Sequence, residues 1–172
     1  MKNLEDYCPE EPYIIQSGSR KGEVLELLMF KNYGFLNWHL KKIRKNHRGG
    51  PLNRYHLHLE WLMAKGENRT PQMDCPICGD RVDLFSVRRS GRGGLFSIGP
   101  GYVSCRKEAC KNMISAASMG RGIQFYEPKF SNIIRITSSK GRRKDIADLY
   151  KSIFGLSTKR LTRKSAFEFF KR

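Results

Sequence analysis

The sequence predicts an α+β fold on three observations. Apolar residues recur at helical spacing in the first third and in the tail. Between these regions, short β-prone runs alternate with glycine-rich turns. Four of the five cysteines frame those runs as two close pairs. The chain has 172 residues, enough for one domain with an ordinary core or for two small ones. An apolar content of 39 % and an aromatic content of 11 % predict a folded rather than a disordered chain.

The elements follow in order. Residues 1–16 read as an arm ending in a short strand at "YII", and "SGSRKG" as a turn. "EVLELLMF" reads as a short helix. Leu36, Leu40 and Ile43 recur at i, i+4, i+7 and predict a second helix, which "HRGGP" ends. "LNRYHLHLEWLMAKG" opens after Pro51 and closes at Gly66, with a stripe of Leu52, Tyr55, Leu59, Leu62 and Met63. "DLFSVRR", "GLFSI" and "GYVSC" are short strand candidates, and "MISAASMG" is a candidate helix. "FYEP" and "SNIIRIT" read as strands. In the tail, Ile146, Leu149, Tyr150 and Ile153 fit a helix capped by Gly155, and "LTRKSAFEFFKR" offers another with Phe167 and Phe170 on one face. Three segments are expected: an N-terminal arm and basic helical module (1–70), a four-cysteine region with following strands (71–139), and a basic C-terminal helical pair (140–172).

Net charge is +17, and it is uneven. Residues 1–16 carry a net −3, leaving +20 on the other 156. Such a surplus repels itself unless a polyanion is near, and nucleic acid is the commonest such partner. Lys41, Lys42, Arg44, Lys45, Arg48 and Arg54 form a run with no acid among them. Arg88, Arg89 and Arg92 lie in the glycine-rich stretch between the cysteine pairs. The tail holds eleven basic residues against three acidic, and Arg142, Arg143, Arg160 and Arg163 are expected to face phosphates. Phe35, Trp38, Tyr55 and Trp61 have the chemistry to stack on bases, although aromatics at helical spacing are more often core. No apolar run reaches the roughly 20 residues that span a bilayer. The acidic start lacks an apolar signal core, which predicts a cytoplasmic protein without membrane contact.

The cysteines are spaced Cys75-x2-Cys78, then 26 residues, then Cys105-x4-Cys110. Two intervening residues let one tight turn aim both sulfurs at one point. Pro76 stiffens that turn and Gly79 is free to take positive φ. Four thiolates close the tetrahedral shell of one zinc ion and leave no position for water, so the expected role is structural. Redox or iron–sulfur chemistry and unligated thiols are the competing readings. Cys8 stands alone and reads as a small, partly buried apolar residue. "CPICG" and its partner pair resemble the zinc-ribbon class over roughly residues 73–112. That resemblance implies short antiparallel strands around a single Zn2+ held by Cys75, Cys78, Cys105 and Cys110. The wider second pair and the long insert depart from the simplest ribbons.

A second resemblance covers "SGSRKGEVLELLMFKNYGFLNWHLKKI", where Gly18, Lys21, Gly22, Leu25, Leu27, Phe35, Leu36, Trp38 and Leu40 match the layout of the small C-terminal module of exodeoxyribonuclease X-type proteins. Ser19-Arg20 stands where that family often has Lys-His. The resemblance implies an accessory module of nucleic-acid enzymes, not a nuclease.

"HLHLE" is the one stretch with catalytic potential: on a strand, His56, His58 and Glu60 would share a face. On a helix, His56 and His58 point about 200° apart, which forbids joint chelation. The chain has no P-loop and no paired carboxylates for two-metal chemistry. The sequence therefore predicts a non-enzymatic, zinc-containing nucleic-acid-binding protein. Its expected setting is as a subunit or accessory of a larger DNA- or RNA-handling complex, such as a CRISPR effector or a transposition assembly. The alternatives are a protein-interaction zinc module and a small metal-dependent nuclease.

Overall fold

The computed structural model describes residues 4–46, 53–89, 96–97, 103–117, 123–137, 143–156 and 161–172. Side chains at 44–46, 88–89, 96–97 and 143–145 lie outside the description. The chain packs as two compact units, Met1–Asn68 with Lys159–Arg172, and Arg69–Thr158.

The first unit is helical. Ile14 bridges Val24 in antiparallel fashion, and Ile15 N–H donates to the Glu23 carbonyl at 2.9 Å. The expected strand at "YII" is thus a single bridge. The turn between needs φ of +82° at Gly18 and +84° at Gly22, a region that L side chains rarely enter. The short helix α1 (Leu25–Leu28) follows, then α2 (Tyr33–Asn46) and α3 (Arg54–Glu67). Asn32 and Asn53 start α2 and α3: their Oδ1 atoms accept from Phe35 N–H at 3.2 Å and from His56 N–H at 2.9 Å. Tyr33, Leu36, Leu40 and Ile43 form the buried stripe of α2. Leu59, Leu62 and Met63 are buried on α3 as expected, joined by Leu57, His58 and Trp61, while Leu52 lies outside the described residues.

Helix α7 (Arg163–Lys171) completes this core from the far end of the sequence. Phe30 packs against Phe169 and Phe170 at ring separations of 5.4 and 5.7 Å, and Trp61 meets Phe167 at 6.3 Å. Thr162 caps α7: its Oγ1 accepts from Ser165 N–H at 3.1 Å, while Ser165 Oγ accepts from Thr162 N–H at 2.9 Å. Thr162→Ala should cost about 1 kcal/mol, read as a lower midpoint of urea unfolding with an unchanged slope.

The second unit is built on a four-stranded antiparallel sheet. Its central strand β1 (Leu84–Arg89) pairs with β2 (Phe96–Ser97), β3 (Val103–Ser104) and β4 (Ile123–Tyr126). Phe85 is paired on both edges, with Val103 and with Tyr126. Helix α4 (Glu108–Ala117) follows β3 directly. Helices α5 (Phe130–Thr137) and α6 (Arg143–Ile153) pack together, with the Phe130 and Tyr150 rings 4.5 Å apart. Gly155 ends α6 at φ +66°, as expected of a capping glycine, and a Cβ there would run into the Gln72 side chain.

Two expectations need correction. "SNIIRIT" is helix α5, not a strand. Phe130, Ile133, Ile134 and Thr137 are buried at i, i+3, i+4, i+7, and this period outweighs the β-propensity of three isoleucines. The tail also does not behave as one helical pair: α6 belongs to the unit with the cysteines and α7 to the N-terminal unit. The α+β class stands. The second cysteine pair runs into a helix, since Cys110 lies in the first turn of α4.

Candidate metal centre and basic surface

The first cysteine pair sits on a knuckle that the backbone closes in steps. Val82 N–H donates to the Met73 carbonyl at 2.9 Å, and Asp74 bridges Arg81. Cys75 N–H donates to the Asp80 carbonyl at 2.5 Å, and Gly79 N–H donates to the Cys75 carbonyl at 2.9 Å. Gly79 takes φ of +77°, the conformation anticipated for it. The chain then enters β1. Antiparallel pairing of Leu84 with Ser104 and of Phe85 with Val103, with Asp83 N–H on the Ser104 carbonyl at 3.0 Å, delivers the end of β3 beside the knuckle. Cys105 is the next residue, and α4 then carries Cys110. The pairing of β1 with β3, both within the long insert, therefore joins the two cysteine pairs.

The four sulfurs of Cys75, Cys78, Cys105 and Cys110 lie within 4.8 Å of one another. Cys78 Sγ and Cys105 Sγ are 3.6 Å apart. Zinc–sulfur bonds of about 2.3 Å in a tetrahedron require sulfurs about 3.8 Å apart, so the donor set fits one such ion. Cys75, Cys105 and Cys110 are buried with Ile77 packed against them, whereas Cys78 is exposed. Burial opposes a thiolate at Cys75, but hydrogen bonds from the backbone of Cys105, Ile77 and Cys78 outweigh it and bring this thiol down to about 6. Burial and the three neighbouring sulfurs push Cys110 up to about 12. A dication held by all four sulfurs would favour their thiolate forms together. The four cysteines can thus hold a metal ion such as zinc.

Charged side chains brace the rim. Lys107 Nζ lies 2.7 Å from Asp80 Oδ2; its hydrogen bond and charge hold the Asp80 carboxyl below its ordinary value. Arg106 pairs with Glu127, which also pairs with Lys129 at 2.6 Å. Cys8 is exposed rather than partly buried, and it lies outside the sulfur cluster.

The expected basic positions are spread over both units. Lys41 and Lys42 are exposed on α2, where Arg44 and Lys45 also sit. Arg54 is exposed at the start of α3, near enough to Tyr7 to lower its phenol, although burial leaves that group above its ordinary value overall. Arg88 and Arg89 end strand β1, opposite Ser97 and Phe96. Arg143 opens α6, and exposed Arg163 opens α7. Arg48, Arg92, Arg142 and Arg160 lie outside the described residues. Of the four aromatics with stacking chemistry, Trp61 is core, Phe35 and Tyr55 are half-buried, and Trp38 is exposed.

"HLHLE" is helical, and its histidines do not converge. His58 is buried with both ring nitrogens engaged. Nε2 lies 2.7 Å from Glu26 Oε1, and Nδ1 lies 2.8 Å from the Tyr7 hydroxyl. With Glu26 accepting from Nε2–H, Nδ1 accepts from Tyr7 O–H. Glu26, fully buried in α1, also accepts from Tyr13 N–H at 3.1 and 3.2 Å. Sequence reasoning missed this Tyr7–His58–Glu26 chain. An acid among leucines at "LELL" carries no local sign that it turns inward.

No family model, no curated protein and no solved structure matches this chain. The likeness of residues 17–43 to the exodeoxyribonuclease X-type module gains no support from these comparisons.

Proposed function

We propose that this chain is a non-enzymatic zinc-containing nucleic-acid-binding protein that serves a larger DNA- or RNA-handling complex. The four-sulfur cluster supports zinc, because its chemistry and spacing suit a closed structural site. One observation carries the binding role. The first knuckle leads directly into β1, and that strand ends in Arg88 and Arg89, with Arg92 three residues beyond. In this reading the metal fixes the root of an arginine-bearing hairpin. Arg54, Arg143 and Arg163 add support, since each opens a helix. A cation at that end is disfavoured by the helix dipole, so these charges do not serve helix stability.

The test is the salt dependence of binding. A protein that neutralises phosphates releases counterions, so affinity falls linearly on a logarithmic salt scale. Arg88→Ala/Arg89→Ala/Arg92→Ala should weaken binding and flatten that slope by about 2–3, with zinc content unchanged. Affinity for nucleic acid that ignores salt, or a triple variant that binds as the parent does, would overturn the proposal and favour a protein-docking role.

A further inference from the structure

We infer that Trp38 is a stacking platform for an unpaired base, which makes single-stranded nucleic acid the ligand class of the α2 surface. The inference rests on the nucleic-acid reading above and gives it a site. Helix α2 carries two stripes. Tyr33, Leu36, Leu40 and Ile43 face the core. Phe35, Trp38, His39 and Lys42 share another face at i, i+3, i+4, i+7. Tryptophan is usually well buried, yet Trp38 is 57 % exposed, whereas Trp61, the other tryptophan, is 6 % exposed.

Its neighbours prepare it for a nucleotide. Lys42 Nζ lies over the indole, 5.0 Å from its centroid. The His39 ring meets the indole edge-on at 4.6 Å, and His39 is itself held between Phe35 at 4.2 Å and Tyr55 at 5.1 Å. The indole is therefore set in an aromatic row that spans two helices. Burial, then the charges of His56 and Lys42, lower the His39 pKa. Exposed Lys41 lies one turn from Trp38. A planar hydrophobic face with two ammonium groups within one helical turn matches the repeating chemistry of a nucleotide, a flat base joined to a phosphate. An indole reaches the face of a base only where that base is not stacked within a duplex, which selects a single strand or an extruded base.

The two-tryptophan composition provides the readout. The full-length protein is titrated at low salt with a thymidine 20-mer, a uridine 20-mer and a 20-base-pair duplex. Quenching of tryptophan emission by either single strand, with little change on duplex addition, is the expected result. Trp38→Ala should weaken single-strand binding about ten-fold or more and abolish the quench. Trp38→Phe should retain most of the affinity, and Trp61 should then stay unquenched. Trp38→Ala carries little risk to folding because the side chain is exposed. Salt-dependent binding that is unquenched and indifferent to Trp38→Ala would overturn the stacking site while leaving the arginine surface standing. Binding to none of the three would remove both.

Discussion

Cys75→Ser is expected to strip the metal and unfold the knuckle with the strands and helix it joins. The four sulfurs come from a turn (Cys75, Cys78), the residue after β3 (Cys105) and α4 (Cys110), so an ion held by all four would be the common point of three pieces of chain. A structural zinc site contributes about 10–16 kcal/mol in small metal-folded domains, comparable with the whole stability of a typical domain. Directly around the sulfurs, three buried cysteines and Ile77 make only a small apolar cluster. Hydrogen exchange should therefore show lost protection over residues 73–87 and 103–117, with zinc falling well below one per chain. Cys8→Ser, at an exposed position outside the cluster, should change neither. A Cys75→Ser variant with native protection in both segments would contradict the assignment of this cysteine.

His58→Leu should destabilise the N-terminal unit by about 3–5 kcal/mol, because it leaves the buried Glu26 carboxyl without its side-chain partner. Among the described residues, Tyr13 N–H would remain on that group. The Tyr7 hydroxyl would also lose its acceptor, loosening the contact that ties the acidic arm to α3. Urea unfolding followed by Trp61 emission in a Trp38→Phe background reports this directly, since the Trp61 ring lies 5.4 Å from His58. Adding Glu26→Leu should restore much of the loss, as removing both members of a buried pair costs less than removing one. A single variant within 0.5 kcal/mol of the parent would show that Glu26 does not depend on His58.

The sequence made the site more legible than the fold around it. Zinc chemistry imposes close pairs of cysteines, and turn chemistry imposes Pro76 and Gly79 between and beside them; both constraints are local and can be read directly. The helix stripes of α2 and α3 were legible for the same reason. In α5, single-residue propensity and periodicity disagree over "SNIIRIT", and burial decides for the helix. The partition of the tail was invisible because α6 and α7 have similar amphipathic patterns, and nothing in a local pattern says which core accepts them. Glu26 was hidden by the same limit. Its partner lies 32 residues away, and only the fold brings the two together.

The most direct test is native mass spectrometry of freshly prepared, reduced protein, combined with thiol alkylation. One zinc per chain is expected, with Cys75, Cys78, Cys105 and Cys110 protected and Cys8 alone modified until the metal is released by acid. A metal-free chain in which all five cysteines alkylate alike, or a chain carrying a disulfide within either pair, would contradict it.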